Sequence, residues 1–244
     1  MTDPMHFERV AEGYAAARPP YPAELWRDVL ATGLVAPGRR ALDLGAGSGQ
    51  ATGELLRYGM DVVAVEPGRR LADIIEDRFP SAVVVRSKAE DIRPGEATFD
   101  LVVAATSIHW MNVDVLLPII HRSLKPEGRL LIWRNVFGDG AAEVTPFRRE
   151  VQRIVAARPA SGAVDHESID TTTRALRGSR LFRVEKTHLF RWTVDLTTEQ
   201  VRALFGTFSN WTPDEADAAA SAVAALGGSV TESYTSWLIE ASPV

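Results

Sequence analysis

Five short apolar runs between residues 40 and 133 constrain the fold more than any other feature of this sequence. The first begins near Arg40, and the others occupy residues 62–66, 82–85, 99–105 and 129–133. Stretches with helical spacing lie between them: Leu55 and Leu56 before Gly59, then Leu71, Ile74, Ile75 and Phe79, then Val113, Leu116, Leu117, Ile120 and Leu124. The runs are continuous rather than alternating, as parallel strands covered on both faces require. Five such units predict an α/β, doubly wound, Rossmann-like core with a mostly parallel sheet.

Beyond residue 135 the pattern changes. Gly138, Gly140 and Pro146 mark an irregular connection, followed by a helical stripe of Phe147, Val151, Ile154 and Val155. Residues 135–180 are expected to form a helical insertion, or lid, on the core. Phe182, Val184, Phe190, Trp192 and Val194 then share one period-2 set, which predicts a half-exposed antiparallel strand. Helices are expected over 199–205 and 213–226, and a last strand over 230–239. The expectation is one domain of seven strands with an antiparallel C-terminal edge: an arm over 1–21, a core over 22–135, the insertion over 135–180, and C-terminal strands and helices over 181–244.

The chain of 244 residues is 45% hydrophobic, ordinary for one globular core. A formal charge of -5 gives no pull toward nucleic acid, and no apolar run is long enough to span a bilayer. The start carries no cationic, apolar leader, so a cytoplasmic location is expected. With no cysteine there is no disulfide, thiolate nucleophile or cysteine-held metal. His6, His109, His121, His166 and His188 lack ligand spacing, so no metal site is expected.

The chemistry concentrates at Leu42-Asp43-Leu44-Gly45-Ala46-Gly47-Ser48-Gly49, where an apolar strand meets glycines at alternate positions. Glycine serves where the backbone turns with positive φ or where a ligand lies against the main chain. The dinucleotide pattern Gly-x-Gly-x-x-Gly fails, because the third glycine is replaced by Gln50 or Thr52 according to the starting glycine. No Gly-Lys-Ser/Thr follows, so the P-loop fails as well. A ligand without pyrophosphate is favoured. Glu66, 17 residues after Gly49 at the end of the second run, suits a ribose diol, while Asp43 could orient an ammonium group. Each acid also has a plainer reading: Asp43 as a helix cap and Glu66 as an exposed strand-end acid.

These residues resemble the class I S-adenosylmethionine-dependent methyltransferases, within the small-molecule group that includes trans-aconitate and ubiquinone-pathway enzymes. The resemblance rests on residues 42–49, Val65-Glu66-Pro67, Ala89-Glu90-Asp91, Phe99-Asp100-Leu101-Val102 and Leu124-Lys125-Pro126-Glu127-Gly128-Arg129-Leu130. It implies S-adenosylmethionine as cofactor, with Gly45 and Gly47 at its methionine portion, Glu66 at the ribose, Pro67, Ala89 and Glu90 at the adenine, and Ala105 as a further cofactor contact. Relatives often carry an acid where this chain has Lys88. The resemblance extends to Phe7, Tyr14, Arg18-Pro19 and Tyr21-Pro22, an arm in which Tyr14 would close the pocket and Arg18 would meet a carboxylate of cofactor or substrate. His109 would be the general base, and Tyr21 and Trp110 would line the acceptor pocket. Trp133, Phe137, Phe208 and Trp211 are expected in the core first and at the acceptor second. The expected activity is methyl transfer to a small molecule, with an oxygen acceptor favoured. The alternatives are a non-catalytic binding protein of the same fold and a nicotinamide-dependent oxidoreductase.

Overall fold

The computed structural model describes residues 13, 17–158 and 168–244. The chain divides into two compact units, one of Tyr21–Asn135, Asp165–Phe190 and Ser236–Val244, the other of Met1–Pro20, Val136–Val164 and Arg191–Thr235.

The first unit follows the predicted alternation. Helix α1 (Ala23–Ala31) precedes β1 (Arg40–Leu44), α2 (Gln50–Arg57), β2 (Asp61–Val65), α3 (Arg69–Arg78) and β3 (Val83–Val85). A short 3-10 turn at Ala89–Asp91 leads to β4 (Phe99–Ala105), another at Ile108–Trp110 leads to α4 (Val113–Ser123), and β5 spans Leu124–Phe137. Helix α6 (Ile169–Ser179) follows α5 (Pro146–Ala156), and the long strands β6 (Phe182–Thr197) and β7 (Ser229–Pro243) belong partly to each unit. The seven strands lie in the order β3-β2-β1-β4-β5-β7-β6, mostly parallel with an antiparallel C-terminal edge. The chain therefore reverses its direction of winding between β1 and β4, which pair in parallel through Ala41–Leu101, Leu42–Val102 and Asp43–Val103.

Alternate strand residues explain the core. Ala41, Val62, Leu101, Val103, Leu131 and Trp133 pack with Leu25, Trp26 and Val29 of α1 and with Ala51 and Leu55 of α2. Trp133 is fully buried, and Tyr21 and Trp26 meet it edge-on at 5.8 and 5.6 Å between ring centroids. Its expected core role holds. Lys125–Gly128 form a bulge inside β5: Phe99 pairs with Leu124 and Leu101 with Arg129. The intervening residues leave the ladder without ending the strand.

The other unit contains α5, α7 (Thr198–Gly206) and α8 (Pro213–Ala225). Its core joins Phe147, Val151 and Ile154 to Val201, Leu204, Phe205, Ala216 and Val223. Thr197 and Thr212 each close a capping box, with Gln200 and Glu215 respectively, so both helices start where the sequence provides a cap. Phe205 sits at the centre, with its ring 4.3 Å from Trp211, 5.0 Å from Phe137 and 5.2 Å from Phe208. We expect Phe205→Ala to cost about 3–5 kcal/mol through the cavity it leaves. Urea denaturation followed by tryptophan fluorescence measures this, and a loss below about 1 kcal/mol would contradict the central placement.

Candidate functional site

The glycine stretch joins β1 to α2 at the carboxyl edge of the sheet, where ligands of doubly wound folds bind. Gly45, Gly47 and Gly49 all take positive φ, at 63°, 60° and 81°. Packing accounts for two of them further. A Cβ on Gly45 would lie 2.7 Å from the Ser107 Cβ, and one on Gly49 would lie 2.7 Å from the Phe79 ring. At both positions the direction a Cβ would take is occupied by the protein's own side chains, so packing as well as φ calls for glycine.

Two carboxylates flank the turn. Glu66, only 6% exposed, accepts from the Gly47 N–H through Oε2 and from the Gly68 N–H through Oε1, both at 2.8 Å. It is a buried clamp between the turns that follow β1 and β2, and not an exposed strand-end acid. Asp43 is wholly buried, and its Oδ2 accepts from the Thr52 hydroxyl at 2.7 Å. Asp43 thus braces the first turn of α2, as the capping reading anticipated. Its Oδ1, however, is buried without a hydrogen-bond partner. Burial pushes the Asp43 carboxyl up to about 6, against the lowering effect of Thr52.

The helix starts beside these acids differ from those of the other unit. Gly49 and Gly68 begin α2 and α3 with no side-chain cap, whereas Thr145, Thr197 and Thr212 each cap α5, α7 and α8. At these two starts the strand-end acids take the place of a cap: Asp43 accepts from Thr52 in the first turn of α2, and Glu66 accepts from the Gly68 N–H at the start of α3.

The segment after β4 is tied to the same edge. Thr106 takes φ 60°, unusual for a β-branched residue, and is held by its N–H to the Trp133 carbonyl at 2.7 Å. Its hydroxyl lies 3.0 Å from the Tyr21 hydroxyl, and Ser107 Oγ donates to the Leu44 carbonyl at 2.6 Å. Sequence reasoning missed Thr106 and Ser107. Their signal was a pair of hydroxyl residues directly after a buried strand at the winding reversal. His109 accepts from Arg134, whose Nη1 lies 2.7 Å from Nδ1 and 3.2 Å from Nε2, and the Trp110 ring is 4.9 Å from the His109 ring. Arg134 was also missed. A crevice at this edge is lined by Thr106, Ser107, His109, Arg134, Thr172 and Trp237.

Among the other expected site residues, Ala89 is buried, Glu90 accepts from the Asn112 N–H at 2.7 Å, Pro67 is exposed, and Ala105 ends β4 half-buried. Arg18 belongs to the other unit, where it donates to the Thr207 carbonyl at 3.2 Å and lies 4.8 Å from the Phe208 ring centroid. Tyr14 lies outside the described residues. Among the described residues no three His, Cys, Asp or Glu side chains are grouped to hold a metal, and no helix is long and apolar enough to cross a membrane.

This sheet order, with an acid-flanked glycine turn at its carboxyl edge, is the arrangement of the class I S-adenosylmethionine-dependent methyltransferase fold. Residues 42–132 match the methyltransferase domain family. An uncharacterized methyltransferase of Mycobacterium tuberculosis is 36% identical over 134 residues, covering 54% of this chain and 53% of the relative. The chain spans about half the length of the curated relatives it matches. The solved structure of a type II methyltransferase candidate from Anaeromyxobacter dehalogenans superposes with a TM-score of 0.66 at 24% identity, covering 93% of this chain and 97% of that one. A geranyl diphosphate C-methyltransferase from Streptomyces coelicolor, solved with S-adenosylhomocysteine, shares the fold at a TM-score of 0.51 and 16% identity, covering 91% of this chain and 79% of that one.

The raised Asp43 value sets a pH dependence. Its contribution to stability is fully present below the unfolded value of 3.8 and is lost as pH rises through about 6. At about 1.4 kcal/mol per pH unit this displacement costs the ligand-free protein about 3 kcal/mol at neutral pH. Asp43→Asn should remove that loss. Between pH 4 and 7 the unfolding free energy of the parent should fall relative to the variant by about 3 kcal/mol; parallel pH profiles would show that Asp43 is not buried and ionisable as described.

Proposed function

We propose that this chain transfers the methyl group of S-adenosylmethionine to a small-molecule acceptor. The observation that carries the reading is the unpartnered Asp43 Oδ1, buried behind a glycine turn whose Gly47 N–H is held by Glu66. A buried carboxylate oxygen without a donor is unfavourable by itself and favours a cationic group beside it. S-Adenosylmethionine carries an ammonium and a sulfonium. A pyrophosphate would instead meet two buried acids and a turn without its third glycine. The residues present therefore fit the methyl donor better than a nicotinamide dinucleotide.

In this reading Asp43 orients the ammonium, and Glu66 accepts from the ribose hydroxyls. Gly45, Gly47 and Ala105 contact the methionine portion, and Pro67, Ala89 and Glu90 border the adenine. Tyr21 and Trp110 face the acceptor. The bound cofactor supplies an electrophilic methyl on a cationic sulfur. The protein's task is then to align the acceptor and exclude water. An oxygen acceptor is favoured, and a hydroxyl acceptor must lose its proton. His109 takes that proton once Arg134 releases the ring nitrogen it now holds, whereas a carboxylate acceptor needs no base.

Calorimetric titration with S-adenosylmethionine, S-adenosylhomocysteine and NADH tests the cofactor, and transfer of labelled methyl to a metabolite panel tests catalysis. S-Adenosylhomocysteine should bind and NADH should not. Glu66→Gln should weaken S-adenosylhomocysteine about tenfold to hundredfold, the worth of one or two hydrogen bonds to a charged group. NADH binding without S-adenosylhomocysteine binding would sink the proposal, and cofactor binding without transfer to any metabolite would leave a non-catalytic binder. His109→Gln should lower turnover with cofactor affinity unchanged; full turnover would remove the base role.

A further inference from the structure

The glycine turn after β1 is held from two sides. Towards β2, the Ala46 N–H donates to the Val65 carbonyl at 3.0 Å and the Gly47 N–H donates to Glu66 at 2.8 Å. Towards β4, Ser107 Oγ donates to the Leu44 carbonyl at 2.6 Å, and the Ser107 Cβ stands 2.7 Å from where a Cβ on Gly45 would lie. The β1–β4 register runs as far as Asp43–Val103, and one residue further the tie passes from the backbone to this side chain. Ser107 is only 6% exposed, so water does not compete freely for its hydroxyl.

Thr106 brings that side chain into place. Its φ of 60° turns the chain back at the end of β4, whereas an extended residue there would carry position 107 onward along the strand. Of the non-glycine residues with positive φ among the described residues, Ala97, Thr106 and Arg180, it alone is β-branched. The strained backbone is secured by the Thr106 N–H, which donates to the Trp133 carbonyl at 2.7 Å. Its hydroxyl, 3.0 Å from the Tyr21 hydroxyl, also accepts from the Asn135 N–H at 3.4 Å. A peptide unit is planar, so a fixed Leu44 carbonyl also fixes the direction of the Gly45 N–H on the opposite edge.

We infer that Ser107 is a positioning residue for cofactor binding: by holding the Leu44–Gly45 peptide, it keeps the glycine turn in the shape that receives the methionine portion of S-adenosylmethionine. Thr106 is the hinge that delivers it. For the identity of the ligand this assignment rests on the methyl-transfer reading; as the tie that orders the turn it does not.

The test compares the full chain with Ser107→Ala, which loses one hydroxyl and keeps the Cβ that packs on Gly45. Two probes are titrated by calorimetry: S-adenosylhomocysteine, and methylthioadenosine, which keeps the nucleoside and the sulfur but lacks the amino acid. The variant should bind S-adenosylhomocysteine about threefold to tenfold more weakly, the worth of one hydrogen bond, and methylthioadenosine within about twofold of the parent. Amide hydrogen exchange without ligand should be faster in the variant at Gly45 and Ala46 and unchanged at Gly68, whose N–H Glu66 holds. Parent-like affinity for S-adenosylhomocysteine, equal weakening of both probes, or parent-like exchange at Gly45 and Ala46 would overturn the proposal and leave Ser107 as packing alone. If neither probe binds the parent, the methyl-transfer reading falls and the cofactor role with it, while faster exchange in the variant would still establish the tie.

Discussion

Two hydrogen bonds to one buried carboxylate hold the cofactor edge of this protein together. Glu66 takes the Gly47 N–H with one oxygen and the Gly68 N–H with the other, so one side chain sets the positions of the turns after β1 and β2. Charge-assisted bonds of this kind are among the stronger ones, and burial makes their loss costly. Beside this clamp Gly47 takes positive φ and Asp43 braces the first turn of α2. Glu66 is thus a structural tie between two turns.

Asp43 shows the opposite balance. One oxygen bonds Thr52 while the other is buried with nothing to accept from, and burial raises the carboxyl accordingly. A stable fold tolerates this only because the large core around β1 outweighs it: Ala41, Leu42 and Leu44 are buried on either side. Strain of a second kind sits at Thr106, whose left-handed backbone is secured by Trp133 and whose hydroxyl meets Tyr21. Unfavourable local states concentrated at one sheet edge are what a preorganised binding site requires.

The two units distribute polar chemistry differently. In the sheet-bearing unit the orphaned carboxylate oxygen stands at the end of a parallel strand, where the fold itself brings glycine turns and helix starts together. In the other unit the orphaned atoms of Glu232 and Tyr234 lie among aromatic rings, and nothing in the strand pattern of β7 announces them. Fold-level likeness carries the first arrangement across distant proteins. The second depends on particular side chains.

The sequence alone determined the order of strands and helices, the parallel core and the glycine turn after the first strand, because apolar periodicity and glycine placement are local signals. It also identified Asp43 and Glu66 as the acids beside the turn. Only the tertiary structure decided that Gly45 and Gly49 accommodate Ser107 and Phe79, that Glu66 clamps two turns, and that Asp43 keeps one oxygen unsatisfied. It likewise brought Arg134 onto His109, paired Arg18 with Thr207 and Phe208, and buried Glu232 beside Arg148. Each of these joins residues far apart in the chain. Their partners are set by how sheets and helices pack, and no short window of sequence contains both sides of such a contact.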